Sequence, residues 1–139
     1  MSGSSGVLSL SLRVSNGTLP FLLNAVIEGD LNAEGVSALT DLPAALTVEG
    51  RLLLRGTRIR ALPTQLRVGG AVELEGCTSL QRLAEDIVVG GDLDLELCSN
   101  LKELPERLVV RGDIYLFGTS VRRIPRAAEI GGSVYDLTT

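Results

Sequence analysis

The 139-residue chain has no histidine and no tryptophan, and only two cysteines, two phenylalanines and two tyrosines. Each absence removes a class of function. Without histidine there is no Ser-His or Cys-His nucleophilic site of the usual kind. The commonest transition-metal ligand is missing as well, and two cysteines leave a zinc site short of its usual set of ligands. No phosphate-cradling GxxxxGK[ST] or GxGxxG loop occurs. No apolar run approaches the ~18 residues of a membrane-spanning helix. The start, Met1-Ser-Gly-Ser-Ser-Gly6, lacks the basic and apolar regions of a secretory signal and reads as a flexible leader over residues 1–6. Two cysteines do not make a disulfide scaffold, so a cellular site of folding is expected. Net charge is −4, from 13 basic and 17 acidic residues. That is too mild for nucleic acid as the default partner. The expectations are therefore a chain that is not an enzyme, with no metal, no cofactor, no nucleic-acid partner and no membrane partner.

What is present is repetition. Five segments begin at Leu42, Leu62, Leu83, Leu104 and Ile124, spaced by 20, 21, 21 and 20 residues. A short fixed period means one structural unit stacked on itself, which makes a surface rather than a pocket. Counting the first residue of each unit as zero, position one is Pro43, Pro63, Ala84, Pro105 and Pro125. Positions four and six are Leu46/Val48, Leu66/Val68, Ile87/Val89, Leu108/Val110 and Ala128/Ile130. Position eight is always glycine: Gly50, Gly70, Gly91, Gly112 and Gly132. Positions ten and twelve are Leu52/Leu54, Val72/Leu74, Leu93/Leu95, Ile114/Leu116 and Val134/Asp136.

Apolar pairs at period two signal strands, so each unit carries two short extended segments on either side of its glycine. Stacking turns each segment into a parallel sheet with strands about 4.8 Å apart. The glycine marks a corner that needs either positive φ or close approach of neighbouring backbones. The Gly69-Gly70, Gly90-Gly91 and Gly131-Gly132 pairs recur with the repeat and are structural on that ground. No sustained 3.6-residue stripe with caps occurs, so little or no α-helix is expected.

Position fifteen is Thr57, Cys77, Cys98, Thr119 and Thr139. After threonine the next apolar residue comes two later (Ile59, Val121); after cysteine it comes three later (Leu80, Leu101). That one-residue difference accounts for the alternating period. Cys77 and Cys98 would sit about 5 Å apart, within disulfide range. The alternative is a buried ladder in which the small Thr and Cys side chains bond to loop backbone.

The phrases LDLELCSNLKELP and IYLFGTSVRRIP resemble leucine-rich repeats, LxxLxLxxNxL or LxxLxLxxCxxL. The following LPxxL is similar to the short repeats of bacterial leucine-rich-repeat effectors. The likeness covers roughly residues 29–139 and departs from the motif where its first leucine is replaced by glycine. It implies a right-handed solenoid with the LxL strands on a concave, partner-binding side. It also implies delivery into a host cell by a route that uses no signal peptide, with residence in the cytoplasm as the other expectation for location.

The expected fold is one leucine-rich-repeat-like β-solenoid over residues 7–139, with regular coils from Leu42 and a degenerate coil over 21–41 that places Val36 in the Thr/Cys column. Leu8, Leu10, Leu12 and Val14 alternate with polar residues and read as one edge strand, giving six stacked strands. Asp136 stands where a core leucine is expected and marks a polar C-terminal edge. If the last coil is otherwise uncapped, the expectation is either that the chain is a fragment of a longer protein or that the edge pairs with another chain, as in a homodimer.

The functional signal lies in the outward positions nine, eleven and thirteen of the LxL strand. They are Arg51, Leu53, Arg55; Ala71, Glu73, Glu75; Asp92, Asp94, Glu96; Asp113, Tyr115, Phe117; and Ser133, Tyr135, Leu137. Three of the chain's aromatic residues fall here, beside a run of acids. Exposed aromatics next to carboxylates are what a protein-binding hot spot is made of. The candidate partner-binding residues are thus Tyr115, Phe117 and Tyr135 as anchors, with Glu73, Glu75, Asp92, Asp94, Glu96 and Asp113 selecting a basic protein surface. Self-assembly through exposed solenoid edges and glycan binding are the alternatives. A second column, Arg58, Arg60, Arg82, Lys102, Arg122 and Arg123, reads as a solvated ridge. Calcium is disfavoured, since VGGDLDLEL lacks the third glycine of the calcium-binding β-roll nonapeptide and ligands on a flat strand converge poorly.

Overall fold

A computed structural model describes residues 6–8, 11–14 and 25–137. Among them there is no helix, and the chain is a parallel β-solenoid of 20–21-residue coils. Each coil contributes one strand to each of two seven-stranded parallel sheets. The first sheet comprises β1 (Gly6–Leu8), β3 (Ala25–Ile27), β5 (Thr47–Val48), β7 (Arg67–Val68), β9 (Val88–Val89), β11 (Val109–Val110) and β13 (Glu129–Ile130). The second comprises β2 (Leu12–Arg13), β4 (Leu31–Asn32), β6 (Leu52–Leu53), β8 (Val72–Glu73), β10 (Leu93–Asp94), β12 (Ile114–Tyr115) and β14 (Val134–Tyr135).

Register follows the repeat columns. Leu31, Leu52, Val72, Leu93, Ile114 and Val134 align across the second sheet, and Ile27, Val48, Val68, Val89, Val110 and Ile130 across the first. Backbone bonds run from coil to coil, for example Leu93 N–H to the Asp113 carbonyl at 2.8 Å and Arg111 N–H to Val89 at 3.0 Å. The aligned aliphatic columns face inward and are fully buried in the central coils. Burying one such side chain is worth roughly 2 kcal/mol, and the stack repeats that gain once per column per coil.

The glycine column is explained by close approach and not by dihedral angle. None of Gly50, Gly70, Gly91, Gly112 and Gly132 has positive φ. A Cβ on Gly50 would stand 2.6 Å from the Gly29 carbonyl oxygen, and one on Gly91 would stand 2.9 Å from the Ala71 nitrogen. Positive φ belongs to a different column, six residues on: Gly35 (76°), Gly56 (72°), Gly76 (78°), Leu97 (65°) and Gly118 (82°).

The small-residue column forms a buried ladder of side chain to carbonyl bonds. Thr57 Oγ1 donates to Leu54 at 2.9 Å, Cys77 Sγ to Leu54 at 3.0 Å, Cys98 Sγ to Leu74 at 3.1 Å and Thr119 Oγ1 to Leu116 at 2.8 Å. Both cysteines are free and buried. Burial pushes the Cys77 thiol pKa up, and burial, with Cys77 as its neighbour, pushes that of Cys98 up to about 12. The extra residue of the cysteine coils is taken up in a turn closed by Leu80 N–H to Cys77 and Leu101 N–H to Cys98, each at 3.1 Å. Val36 closes the same turn on Leu39 at 3.2 Å, as the 21-residue step before Leu42 requires.

Four expectations are corrected. There are seven strands per sheet rather than six. The stretch Leu8–Val14 is not one strand: Leu8 lies in β1, in register with Ile27, and Leu12 lies in β2, in register with Leu31. No glycine marks that corner, so the alternation reads straight across it. Leu53 is not outward-facing in effect, being only 7% exposed, and it lies in register between Asn32 and Glu73, whose side chains flank it on both sides. Gly6, counted with the leader, opens β1; Met1–Ser5, Leu10, Phe21–Asn24 and Thr139 lie outside the described residues. In the last coil Ile130 and Val134 are only partly buried, Asp136 is exposed at φ 61°, and Leu137 packs partly against the core.

Candidate partner-binding face

The outward side of the second sheet carries the candidate residues, and it divides into two halves. Around β6 and β8 the carboxylates share a cation of the same chain. The Arg55 guanidinium stands 2.6 Å from Glu75, 3.6 Å from Glu73 and 3.9 Å from Glu34. Bonding to Glu75 and the surrounding carboxylates raises the Arg55 pKa. Exposed pairs of this kind add little stability, but they leave Glu73 and Glu75 already matched to a cation.

From β10 onward that compensation stops. Among the described residues, Asp94 and Glu96 have no salt-bridge partner. Asp94 Oδ1 accepts the Glu96 N–H at 3.0 Å, folding the loop back on itself. One carboxylate oxygen each from Glu75, Asp94 and Glu96 lies within 4.8 Å of the others, and Glu75 is also paired with Arg55. Desolvation, and then the charges of Asp94, Glu75 and Asp136, push the Glu96 carboxyl above the usual range.

Asp92 and Asp113 have a second duty that the sequence does not disclose. Asp92 Oδ1 accepts the Asp113 N–H and Asp113 Oδ1 accepts the Ser133 N–H, both at 2.8 Å. Asp30 does the same for Arg51 at 2.7 Å, and that backbone bond holds the Asp30 carboxyl below its ordinary pKa. Position nine is thus a stitch between coils wherever it is aspartate, and the carboxylates of Asp92 and Asp113 are partly spent on architecture.

The aromatic residues come together. Tyr115 and Tyr135 are in register on β12 and β14, and their rings stack with centroids 5.1 Å apart at an interplanar angle of 10°. Phe117 is 57% exposed and Tyr135 44% exposed. Desolvation, with Asp113 and Asp92 close by, raises the Tyr115 hydroxyl pKa.

One residue of this patch was not singled out by the hydropathy pattern. Leu97 is 45% exposed and, with Phe117 and Tyr135, completes the set of large hydrophobic side chains exposed among the described residues. It sits in the loop after β10, its N–H donating to the Phe117 carbonyl at 2.7 Å. The signal that could have found it is the column itself: Gly35, Gly56, Gly76 and Gly118 share its place in their coils.

The basic ridge lies apart from this face. Arg60 pairs with Asp41 at 3.0 Å and Arg123 with Glu106 at 3.4 Å. A groove of about 430 Å³ there is lined by Lys102, Leu104, Ser120, Arg122, Arg123 and Pro125. A second groove, of about 440 Å³, crosses the outer side of the first sheet at Thr47, Arg67, Val88 and Arg111. Neither includes a candidate residue of the second sheet. No helix among the described residues is long and apolar enough to cross a membrane. No protein-family model, curated protein or solved structure matches the chain.

Proposed function

We propose that the chain is a non-enzymatic protein-interaction module of the leucine-rich-repeat kind, binding a basic protein partner through the outward side of its second sheet. The observation that carries this is the exposed patch of Phe117 and the Tyr115–Tyr135 stack, set beside the unpaired carboxylates Asp94 and Glu96. Exposed aromatic area held in place by the ring stack favours a partner that desolvates it. The surrounding negative charge favours cations on that partner and steers its approach. Glu73 and Glu75 act through the residual field around Arg55, and Asp92 and Asp113 through the oxygen each keeps free of the backbone stitch. The similarity of the LPxxL phrases to bacterial effectors adds, as analogy, recognition of a host protein.

The test is capture from lysate by wild type and by Tyr115→Ser/Phe117→Ser/Tyr135→Ser, each shown to be folded, read by mass spectrometry. A protein retained by wild type and lost by the variant supports the module and its site. Equal capture by both removes the anchor patch. Self-assembly is a second reading, favoured by the partly exposed core column of the last described coil (Ile130 and Val134); a mass in solution that rises with concentration would favour it.

A further inference from the structure

The loops that follow β4, β6, β8, β10 and β12 each hold a left-handed residue at one place, and four of these five coils supply glycine there: Gly35, Gly56, Gly76 and Gly118. The fold does not require a side chain at this point. Leu97 occupies it nonetheless at φ 65°, a conformation that is unfavourable for an L-residue other than glycine, asparagine or aspartate. Ala45, Gln65 and Asp136 also have positive φ, but Leu97 is the largest apolar side chain among the four. Its side chain does not retreat into the core; it is 45% exposed. It lies across Gly118, where a Cβ would stand 2.9 Å from Leu97 Cδ2. The missing side chain at Gly118 is what gives Leu97 room beside Phe117. An outlier that persists where a relaxed residue would serve points to use of the side chain itself.

The charge around it is one-sided. Glu96 precedes Leu97 in the chain, Asp94 bonds to the Glu96 backbone, and no basic residue among those described pairs with either. One coil earlier the equivalent acid, Glu75, is matched by Arg55 at 2.6 Å. The apolar projection and the unmatched negative charge therefore coincide at the C-terminal end of β10 and the loop that follows it.

We propose that Leu97 is an apolar anchor of the binding face, and that the face takes a basic–apolar peptide segment. An apolar side chain of the segment seats on Leu97 and Phe117, and a flanking lysine or arginine reaches Glu96 and Asp94. This deepens the partner-binding function above and rests on it. It adds a residue outside the LxL strand positions and a stated partner chemistry.

Three short fluorescent peptides test it by anisotropy: one alternating basic and apolar residues, one with the same apolar residues and acids in place of the basic ones, and one with serine in place of the apolar residues. Wild type should bind the first and neither of the others. Leu97→Gly and Leu97→Asn both accept the left-handed backbone, so each should keep a Tm at or above that of wild type. Each should nonetheless bind the basic–apolar peptide about tenfold more weakly. A lower Tm in both variants, or unchanged affinity, would make Leu97 a packing residue and overturn the proposal. Binding of the acidic peptide as tightly as the basic one, or of none of the three, would overturn the partner chemistry. So would self-association of wild type that Leu97→Gly abolishes, which would name a second copy as the occupant. If Phe117→Ser/Tyr135→Ser weakens the basic–apolar peptide and the Leu97 variants do not, the role of Leu97 fails while the binding face stands.

Discussion

The coil around Leu62 and the coil around Leu104 are the same object seen from inside and different objects seen from outside. Inward, Val72 and Leu74 match Ile114 and Leu116, all fully buried. Outward, Glu73 and Glu75 are matched to Arg55, whereas Tyr115 and Phe117 offer a ring stack and an open phenyl group. The inward columns thus set the solenoid, while outward positions eleven and thirteen change character between these two coils with the buried columns unaltered. A functional patch can therefore be written on a few neighbouring coils while the rest stay chemically quiet.

The comparison breaks most severely where the coils touch through backbone alone. Gly91→Val should have the largest effect, because its Cβ would stand 2.9 Å from both the Ala71 nitrogen and the Gly70 carbonyl carbon. The coil spacing must then open, and a loss of several kcal/mol, about 3 or more, is expected by chemical denaturation. Leu93→Ala, which empties a fully buried site, should cost about 3 kcal/mol. Both should damage the quiet and the aromatic halves alike. Asp113→Ala removes the acceptor for Ser133 N–H and should cost about 1 kcal/mol, loosening only the last coil.

A pH series sharpens the contrast between the halves. The folded-state pKa of Glu96 is raised, by desolvation first and then by Asp94 and Glu75. Its charged form is thus disfavoured by folding. That penalty is absent below the unfolded-state pKa and fully present above the folded one. Glu96→Gln should therefore raise Tm at neutral pH and give no gain in acid. Glu73→Gln, beside Arg55, should give no such gain at neutral pH. The smallest effect expected is chemical: native Cys77 and Cys98, buried and with raised pKa values, should resist alkylation by iodoacetamide until the chain is unfolded.

The period, both sheets and the inward columns are legible in the sequence because burial acts on hydropathy, and hydropathy repeats. The Thr/Cys ladder is legible for the same reason, since small polar groups recur at one buried place. The role of Gly50 and its equivalents is not, because positive φ and close approach both select glycine. The break between Leu8 and Leu12 is hidden because an alternating pattern looks the same whether the chain runs straight or turns a corner. Asp92 and Asp113 look like surface acids in sequence; that each accepts a backbone N–H from the next coil depends on stacking register. Leu97 escapes because it follows the strand in a turn, where neither alternation nor burial marks it.

The most direct measurement is a map of backbone amide exchange with and without the basic–apolar peptide. Slowed exchange is predicted along β10, β12 and the loops at Leu97 and at Gly118, with β5, β7 and β9 of the first sheet unchanged. Protection confined to the first sheet or to the Lys102–Arg122 ridge would contradict it.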